Sequence, residues 1–200
     1  MIIDKSRGLI FIHIPKNAGR SIGTSLLGGS HYPGKHDVLP DRDLLGPMPK
    51  IAVIRNPYDR IISIYEYQKM MASKSIGLNI HTQRRFIKNN PGFLEYLRYL
   101  KANQDKFMET HSRPQEFWLK CKSGKPIRNL NLLRFEELQS DIDKFFKSIN
   151  KTSIILDKIN ASKREDYSKY YENPEARKIV NELYRSDFDI YNRINNKEVI

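Results

Sequence analysis

Cysteine is nearly absent: Cys121 stands alone among 200 residues. A disulfide within the chain is therefore excluded, and a thiolate-rich zinc site lacks its ligands. The five histidines, His13, His31, His36, His81 and His111, fall in no HExxH-type spacing, so no structural metal is expected. Long apolar runs are missing too. No window approaches the roughly 18 residues that a membrane-spanning helix needs. The opening MIIDKSRGLIFIHI carries an acid and two bases ahead of a short apolar run, and no small-residue cleavage site follows. It reads as a first strand and not as a signal peptide, and a cytoplasmic protein is expected.

Acidic residues are outnumbered. There are 23 Asp and Glu against 35 Lys and Arg, a formal net charge of +12. An excess of that size points to an anionic partner: nucleic acid, an acidic glycan or a nucleotide. It also fits a merely solubilising surface. The basic residues are spread along the chain without the block of a nucleic-acid tail, and no zinc-finger or RNA-recognition signature occurs. Hydrophobic residues make up 39% of the chain, and neither repeats nor a linker divide it. One domain over residues 1–200 with a proper core is expected.

What is present alternates between two rhythms. GLIFIHI (8–14) and KIAVIR (50–55) are almost continuously apolar, as strands covered on both faces are. RSIGTSLL reads as a helix from about Arg20 to Leu27, ended by Gly28 and Gly29, and one helical turn is expected near Asp41 to Leu45. NPYDRIISIYEYQKMM is a helix with Asn56 as cap, Pro57 in the first position and Asp59 in the first turn. IRNLNLLRFEEL returns to strand over Asn129 to Arg134. The following helix places Leu138, Ile142, Phe145, Phe146 and Ile149 near one face. A last helix starts at Asn173 and Pro174 and carries an apolar stripe to Tyr191. Strands alternating with helices predict an α/β, three-layer fold with a largely parallel sheet. Residues 72–123, polar with aromatic punctuation and with helices at PGFLEYLRYLKA and PQEFWLKC, depart from that rhythm and read as a helical substrate-binding insertion.

Two turns carry the chemistry. In HIPKNAGRS a strand stops at Pro15 and a helix starts near Arg20. Backbone N–H groups at a helix N-terminus favour an anion; Gly19 lets the backbone come close, Lys16 adds a mobile charge and Ser21 a hydroxyl. The Walker order GxxxxGK[ST] is not met, because here the lysine precedes the glycine. An ordinary strand–helix turn with a surface lysine is the plain alternative. In VIRNPYDRIISIYEY, Arg55 ends a strand, where its guanidinium can fork onto a phosphate or pair with Asp59. Ser63 lies two turns into the helix, and helical side chains tilt back toward the N-terminus. Together Arg55 and Ser63 can clasp a second phosphate.

FIHIPKNAGRSI resembles the 5′-phosphosulfate loop of sulfotransferases, and VIRNPYDRIISIY resembles their 3′-phosphate motif, RNPxDRxxSxY. The two follow in order, about forty residues apart. NLLRFEEL and the stretch from Asn160 to Asn192 are similar to later family segments. The resemblance is closest to the carbohydrate, heparan- and chondroitin-type, sulfotransferases. It implies a P-loop-like fold and the cofactor 3′-phosphoadenosine 5′-phosphosulfate (PAPS), with adenosine 3′,5′-bisphosphate (PAP) as product. It implies that Lys16, Asn17, Ala18, Gly19, Arg20 and Ser21 cradle the 5′-phosphosulfate, and that Arg55 and Ser63 take the 3′-phosphate. Asn17 and Arg20 stand where threonines are common in the family. Lys163 and Arg164 resemble a basic loop over the 3′-phosphate or adenine end. Lys16 is the candidate for stabilising the bridging oxygen in an in-line displacement that needs no magnesium. A base positioned on the acceptor hydroxyl contributes about 10²–10⁴-fold. His36 is the first candidate, with Asp37 to orient or replace it. His111 is the second, in an HxRPQ-like element where Arg113 suits an acidic acceptor. His13, inside the strand, reads as a packed or hydrogen-bonded residue. Arg84, Arg85, Lys88, Tyr96, Arg98 and Trp118 suit a sugar or acidic glycan, with an aryl alcohol, a lipid or a peptide tyrosine as alternative acceptors. Two rivals stand: a small-molecule or nucleotide kinase on the same scaffold, and a non-enzymatic module that binds nucleic acid or polyanion.

Overall fold

The computed structural model describes residues 1–28, 36–41, 47–73, 89–104, 111–156 and 167–196. The helical turn expected at Asp41 to Leu45 lies almost wholly outside them, as do Arg84, Arg85, Lys88, Lys163 and Arg164. The chain forms two compact units. The first comprises Met1–Arg55, Gln115–Ser162 and Asp189–Ile200, and the second Asn56–Pro114 and Lys163–Phe188. Residues 72–123 therefore divide: all but their last nine belong to the second unit, and Gln115 to Ser123 to the first.

The first unit is built on a four-stranded sheet in the order β1-β2-β3-β4. Strands β2 (Leu9–Ile12), β3 (Lys50–Ile54) and β4 (Leu130–Arg134) are parallel, with Phe11 opposite Ile51 and Ile51 opposite Asn131. The apolar runs fill β2 and β3, which are buried throughout, as strands covered on both faces require. The opening segment is not one strand but two. Strand β1 (Ile2–Asp4) folds back antiparallel on β2 through a turn that ends at Gly8, φ 66°. The Asp4 carboxylate takes the Ser6 hydroxyl and the Arg7 guanidinium, which fixes that turn. A three-residue strand leaves too short an alternation to be recognised in sequence.

Alternate residues of the strands serve opposite faces. Leu9, Phe11, Ile51, Val53 and Leu133 pack with Ile22 and Leu26 of α1 (Gly19–Leu26) and with Ile142, Phe145 and Phe146 of a later helix, Leu138–Ser148. Ile12, Ile14, Ala52 and Ile54 pack on the other side with Leu39, Trp118 and Ile127, joined by Ile190, Tyr191 and Ile194. Helices flank a mixed, mostly parallel sheet, so this unit has the three α/β layers expected.

The second unit is helical. Helix α2 (Pro57–Ser73), α3 (Phe93–Ala102) and α5 (Pro174–Leu183; α4 is Leu138–Ser148) enclose Ile61, Ile64, Tyr65, Tyr96, Leu97 and Tyr184. Arg98 pairs with Glu175 through two hydrogen bonds of 2.8 and 2.6 Å, which ties α3 to α5. The single last helix expected from the sequence is in fact two. Tyr184, at φ −123° and ψ 30°, leaves the helical region, and α6 (Arg185–Asn195) follows. The apolar stripe read as one face serves two cores. Ala176, Ile179, Val180 and Tyr184 belong to the second unit's core, and Tyr191 to the first unit's. Among the described residues no helix is long and apolar enough to cross a membrane.

Candidate functional site

The loop between β2 and α1 is shaped by two residues of unusual hand. Asn17 donates its backbone N–H to the Ile14 carbonyl at 3.3 Å, closing a turn with Pro15 second and Lys16, φ 68°, third. Pro and a left-handed residue at those places define a type II turn. Ala18 is left-handed again, φ 57°. Each such conformation costs a residue with a side chain about 1–2 kcal/mol. Alternation of hand along a backbone gathers successive N–H groups into a concavity that suits an anion. Helix α1 then begins. Its first internal bond runs from Ile22 N–H to the Ala18 carbonyl at 3.1 Å, so the N–H groups of Gly19, Arg20 and Ser21 precede the ladder. Among the described residues no side chain caps this end, and its first turn holds no acid.

Gly19 has a different task from the one its sequence position suggests. A β-carbon there would lie 1.8 Å from Cδ2 and Nε2 of His13. The imidazole of His13, buried at 4% exposure, occupies the space that the sequence reading leaves open for a ligand. His13 is the packed residue expected. His36 packs against it with the rings tilted by 46° and their centroids 4.2 Å apart, and with Nδ1 3.4 Å from the His13 carbonyl oxygen. Trp118 is a further aromatic neighbour among the described residues, at 6.0 Å.

Asn17 turns inward. Its side chain is 1% exposed, and Nδ2 donates to the Val53 carbonyl at 2.6 Å and to Gln115 Oε1 at 2.5 Å. Its amide donors thus hold the loop to β3, and any share in an anion cradle runs through loop shape. Arg55, one residue beyond β3, is also buried, at 6%. Its Nη1 donates to the Lys16 carbonyl at 2.8 Å, and its guanidinium lies over the Phe135 ring, 4.1 Å from the centroid. The two motifs therefore meet: Lys16 and Arg55 are hydrogen-bonded neighbours in one unit. At the end of β4, Arg134 grips Asp141 with bonds of 2.8 and 2.6 Å. Burial alone would raise the Asp141 pKa, but this pairing holds it below the usual carboxylate range.

Ser63, His111 and Arg113 lie in the second unit, each half-buried. The His111 carbonyl accepts from Arg60 Nη2 at 3.0 Å, and the His111 ring is 5.3 Å from that of Tyr67. Next to it, the Ser112 carbonyl accepts from the Tyr184 hydroxyl at 2.9 Å. Arg60 is fully enclosed, 4.0 Å from Asp187. Burial pulls its pKa below the usual guanidinium value, against the opposing pull of Asp187. Burial likewise pushes the Tyr184 phenol up, which keeps it a donor. Two aromatics suggested for a sugar acceptor have another role: Tyr96 and Trp118 are 0% and 2% exposed and belong to cores. Gln115 in the first unit, and Arg60 and Asp187 in the second, are buried polar residues that escaped sequence reasoning. The one visible signal is a glutamine, in RPQEFWL, just ahead of the apolar Phe117, Trp118 and Leu119.

A family model described as the sulfotransferase family matches residues 1–192. The chain belongs to the sulfotransferase family. No curated protein and no solved structure matches it. Membership carries the family's general chemistry: a sulfuryl group moves from a PAPS-type nucleotide donor to a hydroxyl acceptor. The donor set of this sulfotransferase suits such a nucleotide, with an uncapped helix N-terminus and a lysine beside an arginine.

Proposed function

We propose that this sulfotransferase uses PAPS, sulfates a carbohydrate hydroxyl by in-line displacement, and releases PAP. PAPS supplies the activated sulfuryl group. The Lys16–Ser21 loop holds the 5′-phosphosulfate through the N–H groups of Gly19, Arg20 and Ser21 and the side chains of Lys16, Arg20 and Ser21, with Asn17 and Ala18 setting the loop's shape. Arg55 and Ser63 take the 3′-phosphate, and Lys163 and Arg164 close over that end. The Lys16 ammonium neutralises the charge that grows on the phosphate oxygen as the sulfur–oxygen bond breaks. His36 removes the acceptor proton as the new oxygen–sulfur bond forms, with Asp37 beside it in sequence to orient it. His111 and Arg113 engage the acceptor, and His111 is the second candidate base.

The observation that carries this reading is the bond from Arg55 Nη1 to the Lys16 carbonyl. It makes neighbours of two basic residues that are 39 positions apart in sequence, which suits one nucleotide with two anionic ends. The test is calorimetric titration of the purified protein with PAP and with magnesium-ATP, followed by labelled-sulfate transfer from PAPS across sugars, phenols and peptides. Tight PAP binding and transfer to sugars are expected. A preference for magnesium-ATP would instead indicate a kinase, and equal affinity for any polyanion would indicate a binding module.

A further inference from the structure

The geometry points to Gln115 as a positioning residue that fixes the spacing between the two anion-holding groups and so sets selectivity for a nucleotide phosphorylated at both ends. The inference rests on the donor site proposed above. Gln115 is fully buried, and its carboxamide faces two chain segments at once. Oε1 accepts from Asn17 Nδ2 at 2.5 Å and from the Arg55 N–H at 3.0 Å. Nε2 donates to the Arg55 carbonyl at 2.9 Å. The side chain thus pairs with both backbone groups of Arg55 as a neighbouring strand would. Pairing of β3 with β4 ends at Ile54 opposite Arg134, so Arg55 is the first residue past that ladder. Without Gln115 its main chain would need other partners for two buried groups.

The same oxygen reaches the other motif. Asn17 sits between left-handed Lys16 and Ala18, the part of the loop with the strongest tendency to relax. Its Nδ2 bonds to Gln115 and Val53 hold it in place, while its Oδ1 is buried with no partner among the described residues. An orphaned buried acceptor is costly, and it persists here because the two donor bonds dictate the orientation of the amide. A closed circuit results. Arg55 holds Lys16 through its guanidinium, Gln115 holds Arg55 through the backbone, and Asn17 ties Gln115 back to the residue after Lys16. Trp118 fixes the circuit from outside. It lies in the same short 3₁₀ turn, Gln115–Leu119, and is wedged among Ile12, Ile14 and Ile54.

The consequence is specific. The loop alone can hold a 5′-phosphate, and Arg55 alone can hold a 3′-phosphate. Only their fixed separation rewards a nucleotide that carries both. The experiment titrates wild type, Gln115→Met and Asn17→Ala with PAP and with adenosine 5′-monophosphate, and follows folding by thermal melting. Wild type should prefer PAP. Gln115→Met should lose at least about tenfold of that preference, the scale of one misaligned buried hydrogen bond. Asn17→Ala should lose part of the preference, and the double variant should lose no more than Gln115→Met alone. A Gln115→Met protein that binds both nucleotides more weakly by the same factor overturns the inference, since a purely structural role would act in that way. Should Gln115→Met fail to fold, Gln115→Glu carries the same comparison. It keeps the acceptor oxygens but not the donor to Arg55, and unchanged selectivity in it would equally overturn the inference. A wild type without preference for PAP over the monophosphate would sink the donor reading itself, an outcome distinct from the others.

Discussion

Helices α1 and α2 both follow a strand of the parallel sheet, yet their N-termini are built in opposite ways. Helix α2 is complete in itself. Asn56 Oδ1 accepts the Tyr58 N–H at 3.0 Å, Pro57 fills the first position and Asp59 supplies a negative charge to the first turn. Helix α1 has none of these. Its N-cap is Ala18, left-handed and without a side-chain bond, and no acid stands in its first turn. A helix end so left is unfavourable unless something external meets its N–H groups. On the donor reading proposed above, α1 would receive its anion through backbone N–H groups, whereas α2 already has its own cap and first-turn acid.

That contrast can be broken experimentally, and the largest effect should come from Lys16. Lys16→Ala should lower sulfuryl transfer by about 10²–10³-fold, the scale of one transition-state charge partner. Melting should be unchanged, because alanine tolerates the left-handed backbone no worse than lysine. Full turnover in labelled-sulfate transfer would remove Lys16 from the mechanism. Next comes Gly19→Ala, whose β-carbon meets the His13 ring. A buried imidazole yields little, so denaturant unfolding should show a loss of about 1–3 kcal/mol. Adding His13→Ala should recover part of it, and strictly additive losses would show that the ring is not what excludes the side chain.

A smaller effect tests the self-sufficient end. Asn56→Ala should cost about 1 kcal/mol of stability through loss of the α2 cap. PAP affinity should barely change, and a large loss of binding would mean that the second helix end is also a receptor. The smallest effect should come from Ala18→Gly. Glycine removes the left-handed strain but adds unfolded-state entropy, so a net gain of about 0.5–1 kcal/mol is expected in the same unfolding assay. A net loss would show that the loop's hand is imposed by contacts that glycine lacks.

Much of this was legible in advance, for identifiable reasons. Strands β2 and β3 are buried on both faces, so their sequences are unbroken apolar runs. Helix α2 announces itself through Asn56, Pro57 and Asp59, which act on their own backbone. Along α4, Ile142, Phe145 and Phe146 recur at helical spacing because one face meets the sheet. Less local features stayed hidden. Trp118 and Tyr96 look like sugar platforms until their surroundings are known, and both are core residues. Asn17 looks like a ligand contact in its motif, yet its side-chain donors face β3 and Gln115. The break at Tyr184 follows from no helix-stopping residue, and the phenol there is engaged with Ser112, 72 positions earlier.

The amino-acid order by itself determined the alternation of strand and helix, the excess of positive charge and the two basic turns, because each depends on residues within a few positions of one another. The tertiary structure alone decided that Lys16 and Arg55 adjoin, that His13 claims the space at Gly19, and that Gln115 joins both turns. Those outcomes depend on which buried polar groups find partners across long stretches of chain. Such pairing is settled only when the core closes and water is no longer available to satisfy them.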